Sequence, residues 1–146
     1  MYFIIKNILF LILLIIILSC SKNKSPFEDQ QIIDVTYINN WPDSLKTFGI
    51  AFPDTSLPLP QQRASALHQA KLILIDNLNE MAFSLKISKI YTVRYLCLKY
   101  DIIDTDLINY IKSSYKITDA IYMADGSIAI YAYIITSSII QIIDKY

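Results

Sequence analysis

The sequence predicts an α+β fold in which one long helix packs on a small antiparallel sheet. Apolar residues recur at helical spacing over Gln61–Lys86, and alternating β-branched and aromatic residues follow this segment. Near the end of the chain, Asp125-Gly126 lies between two apolar runs. A helix stripe and a sheet face each need another element to bury them, and packing one on the other satisfies both. The predicted order is therefore strand, long helix, long strand, short helix and hairpin.

The first half of this order runs from a turn to the long helix. Trp41-Pro42-Asp43-Ser44 predicts a turn, and Lys46–Phe52 predicts a strand. Pro53–Pro60 contains three prolines, which exclude regular structure and suit the start of a helix. Several small residues would let the helix over Gln61–Lys86 lie close to a sheet: Ala64, Ala66, Ala70 and Ala82. Its apolar stripe is predicted to contain Leu67, Ala70, Leu74, Leu78, Met81 and Leu85.

The third predicted element is a long strand over Ile87–Tyr100, where side chains alternate with a period of two. The next six residues carry three acids and predict a break before a short helix over Leu107–Ser114. A calcium loop is not favoured there, because it needs further oxygen ligands and a glycine turn. Asp104 or Thr105 is instead expected to cap the short helix. The acids in question are Asp101, Asp104 and Asp106.

The last part of the chain predicts a hairpin. Lys116–Met123 and Ser127–Thr136 flank Asp125-Gly126, and both of these turn residues tolerate a positive φ. Ser137–Tyr146 is compatible with a terminal helix or with a frayed strand, and the pattern does not decide between them.

Composition excludes several classes of protein. Of the 146 residues, 54% are hydrophobic and 18% charged, which excludes a disordered chain. Thirteen basic residues balance thirteen acidic ones, so no basic charge is available to hold a nucleic acid. Two cysteines are too few for a disulfide scaffold or a four-thiolate metal site. Two glycines make a glycine-rich phosphate loop untenable.

The first nineteen residues are predicted to be a secretory signal. Lys6 precedes the unbroken apolar run Ile8–Leu18, and the chain turns polar directly after Cys20. Eleven helical residues rise roughly 16 Å, about half of the hydrocarbon core of a bilayer. The alternative is an uncleaved signal anchor, which would make the chain a single-pass inner-membrane protein.

Ile17-Leu18-Ser19-Cys20 resembles the lipobox of bacterial lipoproteins. The resemblance implies cleavage between Ser19 and Cys20, a diacylglycerol thioether on Cys20 and acylation of the new amine. Two or three acyl chains hold a protein on a membrane far more firmly than one. Ser21, in place of an aspartate, resembles lipoproteins that are not retained on the inner membrane, so the outer membrane is expected.

The predicted organisation is then a signal over 1–19, a lipidated cysteine and flexible tether over 20–40, and a small domain over 41–146. Ser21–Asp29 is polar and contains Pro26, as a spacer would. Gln30–Ile38 is mixed, and the sequence does not decide whether it pairs with the domain or lies on it.

Three segments together resemble the twenty-kilodalton bacterial lipoprotein family, whose LPP-type domain is related to the amino-terminal module of a flagellar assembly protein. They are Trp41-Pro42 with the strand ending Phe48-Gly49-Ile50-Ala51, the helix Arg63–Leu78, and the hairpin around Asp125-Gly126 with Ile128–Ile134. The resemblance covers about residues 41–135. It implies an α+β domain associated with the cell envelope and implies no catalytic residues.

The sequence offers few residues that could act in catalysis or bind a metal. His68 is the only histidine and has no ligand at metal-site spacing, so a surface position is favoured over a metal site. A serine triad would need His68 as its base, and no glycines of a nucleophile elbow surround any serine. Cys97, between Leu96 and Leu98, is expected to be buried and unreactive. The sequence thus predicts no cofactor, no metal and no small-molecule substrate, and an envelope hydrolase is the least favoured alternative.

Tyrosine is common, with 11 in the chain. Tyr91, Tyr95, Tyr131 and Tyr133 occupy alternating positions of predicted strands and would share one aromatic sheet face. Two interpretations stay open: ordinary strand composition packed on the core, or a docking face for another envelope protein. The functional hypothesis is a lipid-anchored, non-enzymatic binding or structural module.

Overall fold

The structure, a computed structural model, describes residues 32–145, and in this part of the chain five helices accompany a three-stranded antiparallel sheet. The α+β class and the packing of one long helix on the sheet are confirmed. The elements, in chain order, are α1 Val35–Ile38, β1 Ser44–Ala51, α2 Leu59–Ser84, α3 Val93–Lys99, α4 Asp101–Ser114, β2 Lys116–Tyr122, β3 Ile128–Ile135 and α5 Thr136–Ile143.

The sheet has the order β1-β3-β2, with β3 in the centre. β2 and β3 form the hairpin that the sequence predicts, and Gly126 takes the positive φ of 83° that its turn requires. The backbone N–H and hydroxyl of Ser127 both donate to Asp125 Oδ1, at 2.9 and 2.6 Å. β1 joins the other side of β3, from Ser44 opposite Ile135 to Ala51 opposite Ile128.

Helix α2 begins after Pro58, with Pro60 in its first turn. Its buried residues lie four apart, so they follow one stripe: Ala66, Ala70, Leu74, Leu78 and Ala82. The predicted members Leu67, Met81 and Leu85 are only partly buried and flank this stripe. The small residues form the contact because they allow the closest approach of the helix to β1 and β3.

Gly49 is where β1 comes nearest to α2. A Cβ atom at this position would lie 2.1 Å from the carbonyl oxygen of Ala70 and 2.6 Å from the backbone nitrogen of Leu74. Real side chains do not approach backbone atoms so closely, so only glycine fits here.

The predicted strand over Ile87–Tyr100 is wrong, because Val93–Lys99 forms helix α3. Val93, Leu96 and Cys97 are buried at helical spacing, facing α2 and α4. The segment as a whole also fits a period of two, since Val93, Tyr95 and Cys97 alternate with Arg94, Leu96 and Leu98. Packing against two helices decides between the two periods. The preceding residues form a tight loop in which Ile87 N–H donates to the carbonyl of Tyr91 at 3.0 Å.

Helix α4 begins at Asp101, six residues before the predicted start at Leu107, so neither Asp104 nor Thr105 is its cap. Asp101 and Asp104 lie in the first turn, where their carboxylates are stabilised by the positive end of the helix dipole. The buried face of α4 has a spacing of four: Ile103, Leu107 and Ile111. The last segment forms helix α5, one of the two alternatives left open for it, and ends at Ile143.

Residues 32–40 pack on the domain. Asp34 N–H donates to the carbonyl of Ile87 at 2.7 Å, and Ile38 in α1 is buried. The compact unit therefore begins at Ile32, nine residues before the predicted boundary at Trp41. The predicted signal, the lipobox and the spacer Ser21–Asp29 lie outside the described residues.

Candidate functional site

The sheet has one side covered by α2 and one open side. On β1 the residues that face away from α2 are Lys46, Phe48 and Ile50, since Leu45, Gly49 and Ala51 face the helix. The register places Tyr133 opposite Lys46, Tyr131 opposite Phe48 and Ala129 opposite Ile50. Alternation along each strand therefore gathers three aromatic rings on the open side.

The centre of this open face is an aromatic pair. The rings of Phe48 and Tyr131 have centroids 5.5 Å apart and are tilted by 38°. Phe48 is 47% exposed and Tyr131 38% exposed, which is high for residues in the middle of strands. Beside them is a shallow depression of about 230 Å³. Its lining residues are Lys46, Thr47, Phe48, Thr118, Tyr131, Ala132 and Tyr133.

Strand β2 continues this surface at the edge of the sheet. All seven of its residues are exposed, including Ile121 opposite the small Ala129. A bulge between Ile117 and Asp119 interrupts the pairing with β3, and such a bulge discourages further strand addition at this edge. The open face of the sheet is thus an aromatic and aliphatic surface with lysines at its margin, a composition suited to contact with another macromolecule.

The four tyrosines that the sequence places on one face are divided by the structure into two pairs. Tyr131 and Tyr133 lie on β3 and share the open face. Tyr95 lies on α3 and Tyr91 in the loop before it, where their rings stack with centroids 4.2 Å apart. The predicted four-tyrosine face is therefore wrong for Tyr91 and Tyr95, because the segment that carries them is not a strand.

Phe48 and Ile121 belong to the open face, although the sequence does not predict them there. The sequence predicts their strands, but their place beside Tyr131 depends on the register of β1 and β2 against β3. The alternation within β1 gives a weak signal, because Phe48 has the parity opposite to the buried Leu45 and Ala51.

A second depression, of about 200 Å³, lies between α2, α3 and α4. Arg94 crosses it, with its guanidinium 2.7 Å from Glu80 Oε2 and 5.0 Å from the centre of the Phe83 ring. Cys97 lines it but is buried, as predicted. Burial, and then the charge of Asp104, raise the pKa of the Cys97 thiol to about 11, while Arg94 lowers it. The thiol stays protonated at neutral pH and is a poor nucleophile.

The described residues do not assemble a metal site. Within residues 32–145, no group of three or more His, Cys, Asp or Glu side chains is placed to hold a metal ion. His68 is exposed on α2. Asp101 and Asp104 are part of a helix and not of a calcium loop. In the same range, no helix combines the length and apolar character needed to cross a bilayer.

Comparison of the chain with protein-family models, with curated sequences and with solved structures found no match. The resemblance to the twenty-kilodalton lipoprotein family therefore stays a prediction. Ser19 and Cys20, the predicted processing and lipidation residues, lie outside the described residues.

Proposed function

We propose that this protein is a lipid-anchored bacterial envelope lipoprotein whose domain is a non-enzymatic binding or structural module. The observation that carries the proposal is Ile17-Leu18-Ser19-Cys20 at the end of the apolar run that begins at Ile8. In this proposal Cys20 becomes the acylated amino terminus, and Ser21 directs the protein to the outer membrane.

The geometry of the domain supports a binding role. The open face of the sheet exposes Phe48, Tyr131 and Ile121 on neighbouring strands, and aromatic residues of this kind are enriched in protein interfaces. The reactive side chains of the described residues give less support to an enzyme, since Cys97 is buried with a raised pKa and His68 stands on an exposed helix surface.

The anchoring part is tested by mass spectrometry of the mature amino terminus. We expect the chain to begin at Cys20 and to carry two or three acyl chains. A Cys20→Ser variant should lose the acyl mass. An intact Met1 would contradict the proposal and support a single-pass membrane protein.

The binding part is tested by crosslinking in intact cells. A photoreactive amino acid at Tyr131, on the open face, is expected to capture an envelope protein reproducibly. The matched control carries the same group at Gln69, which is exposed on α2. Equal capture from both positions, or none from Tyr131, would contradict a docking role of the open face.

A further inference from the structure

Two adjoining segments, residues 32–41 and the loop 86–92, form the end of the domain that follows residue 31. We call them together the amino-terminal end. Asp34 N–H donates to the Ile87 carbonyl at 2.7 Å, and Trp41 Nε1–H donates to the Lys86 carbonyl at 2.7 Å. These two hydrogen bonds fix the loop against the first described residues.

This end exposes aliphatic side chains that the fold leaves uncovered. Ile90, in the loop, is 63% exposed, and Val35, on α1, is 60% exposed. The loop is held in one shape, since Tyr91 N–H donates to Ser88 Oγ at 3.1 Å and Ile87 N–H donates to the Tyr91 carbonyl. Ile90 is therefore presented to the outside by an ordered turn and does not fold back on the core.

Aromatic and basic residues lie on the same two segments or next to them. Trp41 and Tyr91 are half-buried, and Tyr95 stacks on Tyr91. Lys86 and Lys89 are exposed on the same loop. Asp34, the carboxylate of this end, already accepts hydrogen bonds from the backbone N–H and the hydroxyl of Thr36, at 3.0 and 2.6 Å.

This combination matches the chemistry of a bilayer surface. Tryptophan and tyrosine rings favour the level of the headgroups. Lysines near an anionic surface are attracted to its headgroups. An exposed isoleucine such as Ile90 can enter the boundary between headgroups and acyl chains.

The distance along the chain from Cys20 to the domain indicates which bilayer this end would contact. Ile32 follows Cys20 by twelve residues, so the two are at most about 40 Å apart even when the chain is fully extended. If Cys20 is acylated, the amino-terminal end is the part of the domain most closely tied to the membrane.

We propose that the amino-terminal end of the domain rests on the membrane that holds the lipid anchor. Ile90 inserts at the interface, and Lys86 and Lys89 contact anionic headgroups. This inference rests on the proposed lipidation of Cys20 and adds to it a defined contact of the folded domain with the bilayer.

The fluorescence of Trp41 can report this contact, because Trp41 is the only tryptophan of the chain and belongs to the amino-terminal end. The acylated protein is placed in vesicles of phosphatidylethanolamine and phosphatidylglycerol whose acyl chains are brominated near the headgroup. We expect bromine to remove about half or more of the Trp41 fluorescence, since interfacial aromatic rings lie at this depth. Vesicles of neutral phosphatidylcholine with the same brominated acyl chains should quench the Trp41 fluorescence less than the anionic vesicles do.

The variant Lys89→Glu/Ile90→Asp should lose most of this quenching while staying anchored. The matched control Lys116→Glu/Ile117→Asp alters an exposed lysine and its exposed aliphatic neighbour on β2 and should be quenched like the parent. All four positions are exposed, so neither variant is expected to unfold.

Flotation of the same samples separates the two proposals. A parent protein that floats with the vesicles but shows no quenching, or quenching equal to that of the Lys89→Glu/Ile90→Asp variant, overturns the membrane contact and leaves the lipid anchor intact. Equal quenching on neutral vesicles overturns the role of the lysines. A protein that neither floats nor carries acyl chains refutes the anchor, and the contact with it.

Discussion

Gly49 sets the distance between the long helix and the sheet. The backbone of α2 passes so close to β1 that the Ala70 carbonyl and the Leu74 amide occupy the space of any side chain there. At this scale the identity of one residue determines how two elements pack.

Gly49→Ala is therefore expected to lower the free energy of unfolding by about 1–3 kcal/mol, since the new methyl group has to displace backbone atoms. Urea denaturation followed by circular dichroism measures this change. Lys46→Ala, on the open side of the same strand, should stay within about 0.5 kcal/mol of the parent. Equal stability of Gly49→Ala and the parent would mean that α2 lies farther from β1 than described.

Cys97 makes the stability of the folded domain depend on pH in the alkaline range. The unfolded thiol loses its proton near its ordinary pKa of 9.0, whereas burial keeps the folded thiol protonated up to about 11. The folded state thus binds more protons between these two values, and the stability that the thiol contributes below pH 9 falls as the pH rises through this window.

Between pH 9 and pH 11 the parent should lose on the order of 1–2 kcal/mol of stability relative to a Cys97→Ala variant. Denaturation curves of both proteins at several pH values measure the difference, and the variant subtracts the contribution of lysines and tyrosines. Parallel curves across the window would show that the Cys97 pKa is not raised.

At the scale of elements, α2 has apolar residues on several sides, and packing determines which of these sides is buried. Leu72-Ile73-Leu74-Ile75 is apolar throughout, yet Leu74 is fully buried while Leu72 is 43% exposed. The stripe of small residues in line with Leu74 selects the side that meets the sheet.

Leu74→Ala should cost about 2–5 kcal/mol, because it opens a cavity between α2 and the sheet. Leu72→Ala is the matched control on the same helix and should change stability by less than about 0.5 kcal/mol. Thermal unfolding of both variants gives the comparison, and similar losses would contradict the described orientation of α2.

At the scale of the whole molecule, the residues before the first strand complete the fold. Ile38 is buried, and Trp41 packs against the core while donating to Lys86. The Thr136 hydroxyl donates to the Pro42 carbonyl, which ties this segment to α5 as well. The domain consequently includes residues that the sequence pattern assigns to a tether.

A chain that starts at Trp41 should therefore be less stable than one that starts at Ile32. We expect a loss of about 2–4 kcal/mol, mainly from the burial of Ile38 and the partial burial of Ile32 and Ile33. Urea denaturation of the two chains measures the difference. Equal stability would place the boundary at Trp41, as the sequence alone suggests.

The sequence by itself determined the fold class, the long helix and the hairpin. Each has a strong local cause: apolar residues at spacings of three and four over α2, the prolines before it, and Asp125-Gly126 in the turn of the hairpin. It also placed Tyr131 and Tyr133 on one face of a strand, because alternation is a local property.

Only the tertiary structure decided the rest. Residues 93–97 satisfy both a helical and a strand period, so their state depended on the burial that α2 and α4 offer. The grouping of Phe48 with Tyr131, and the separation of Tyr91 and Tyr95 from them, follow from strand register and from that same helix. These are contacts between residues far apart in the chain, and a pattern of neighbours along the sequence does not encode which distant surface will cover them.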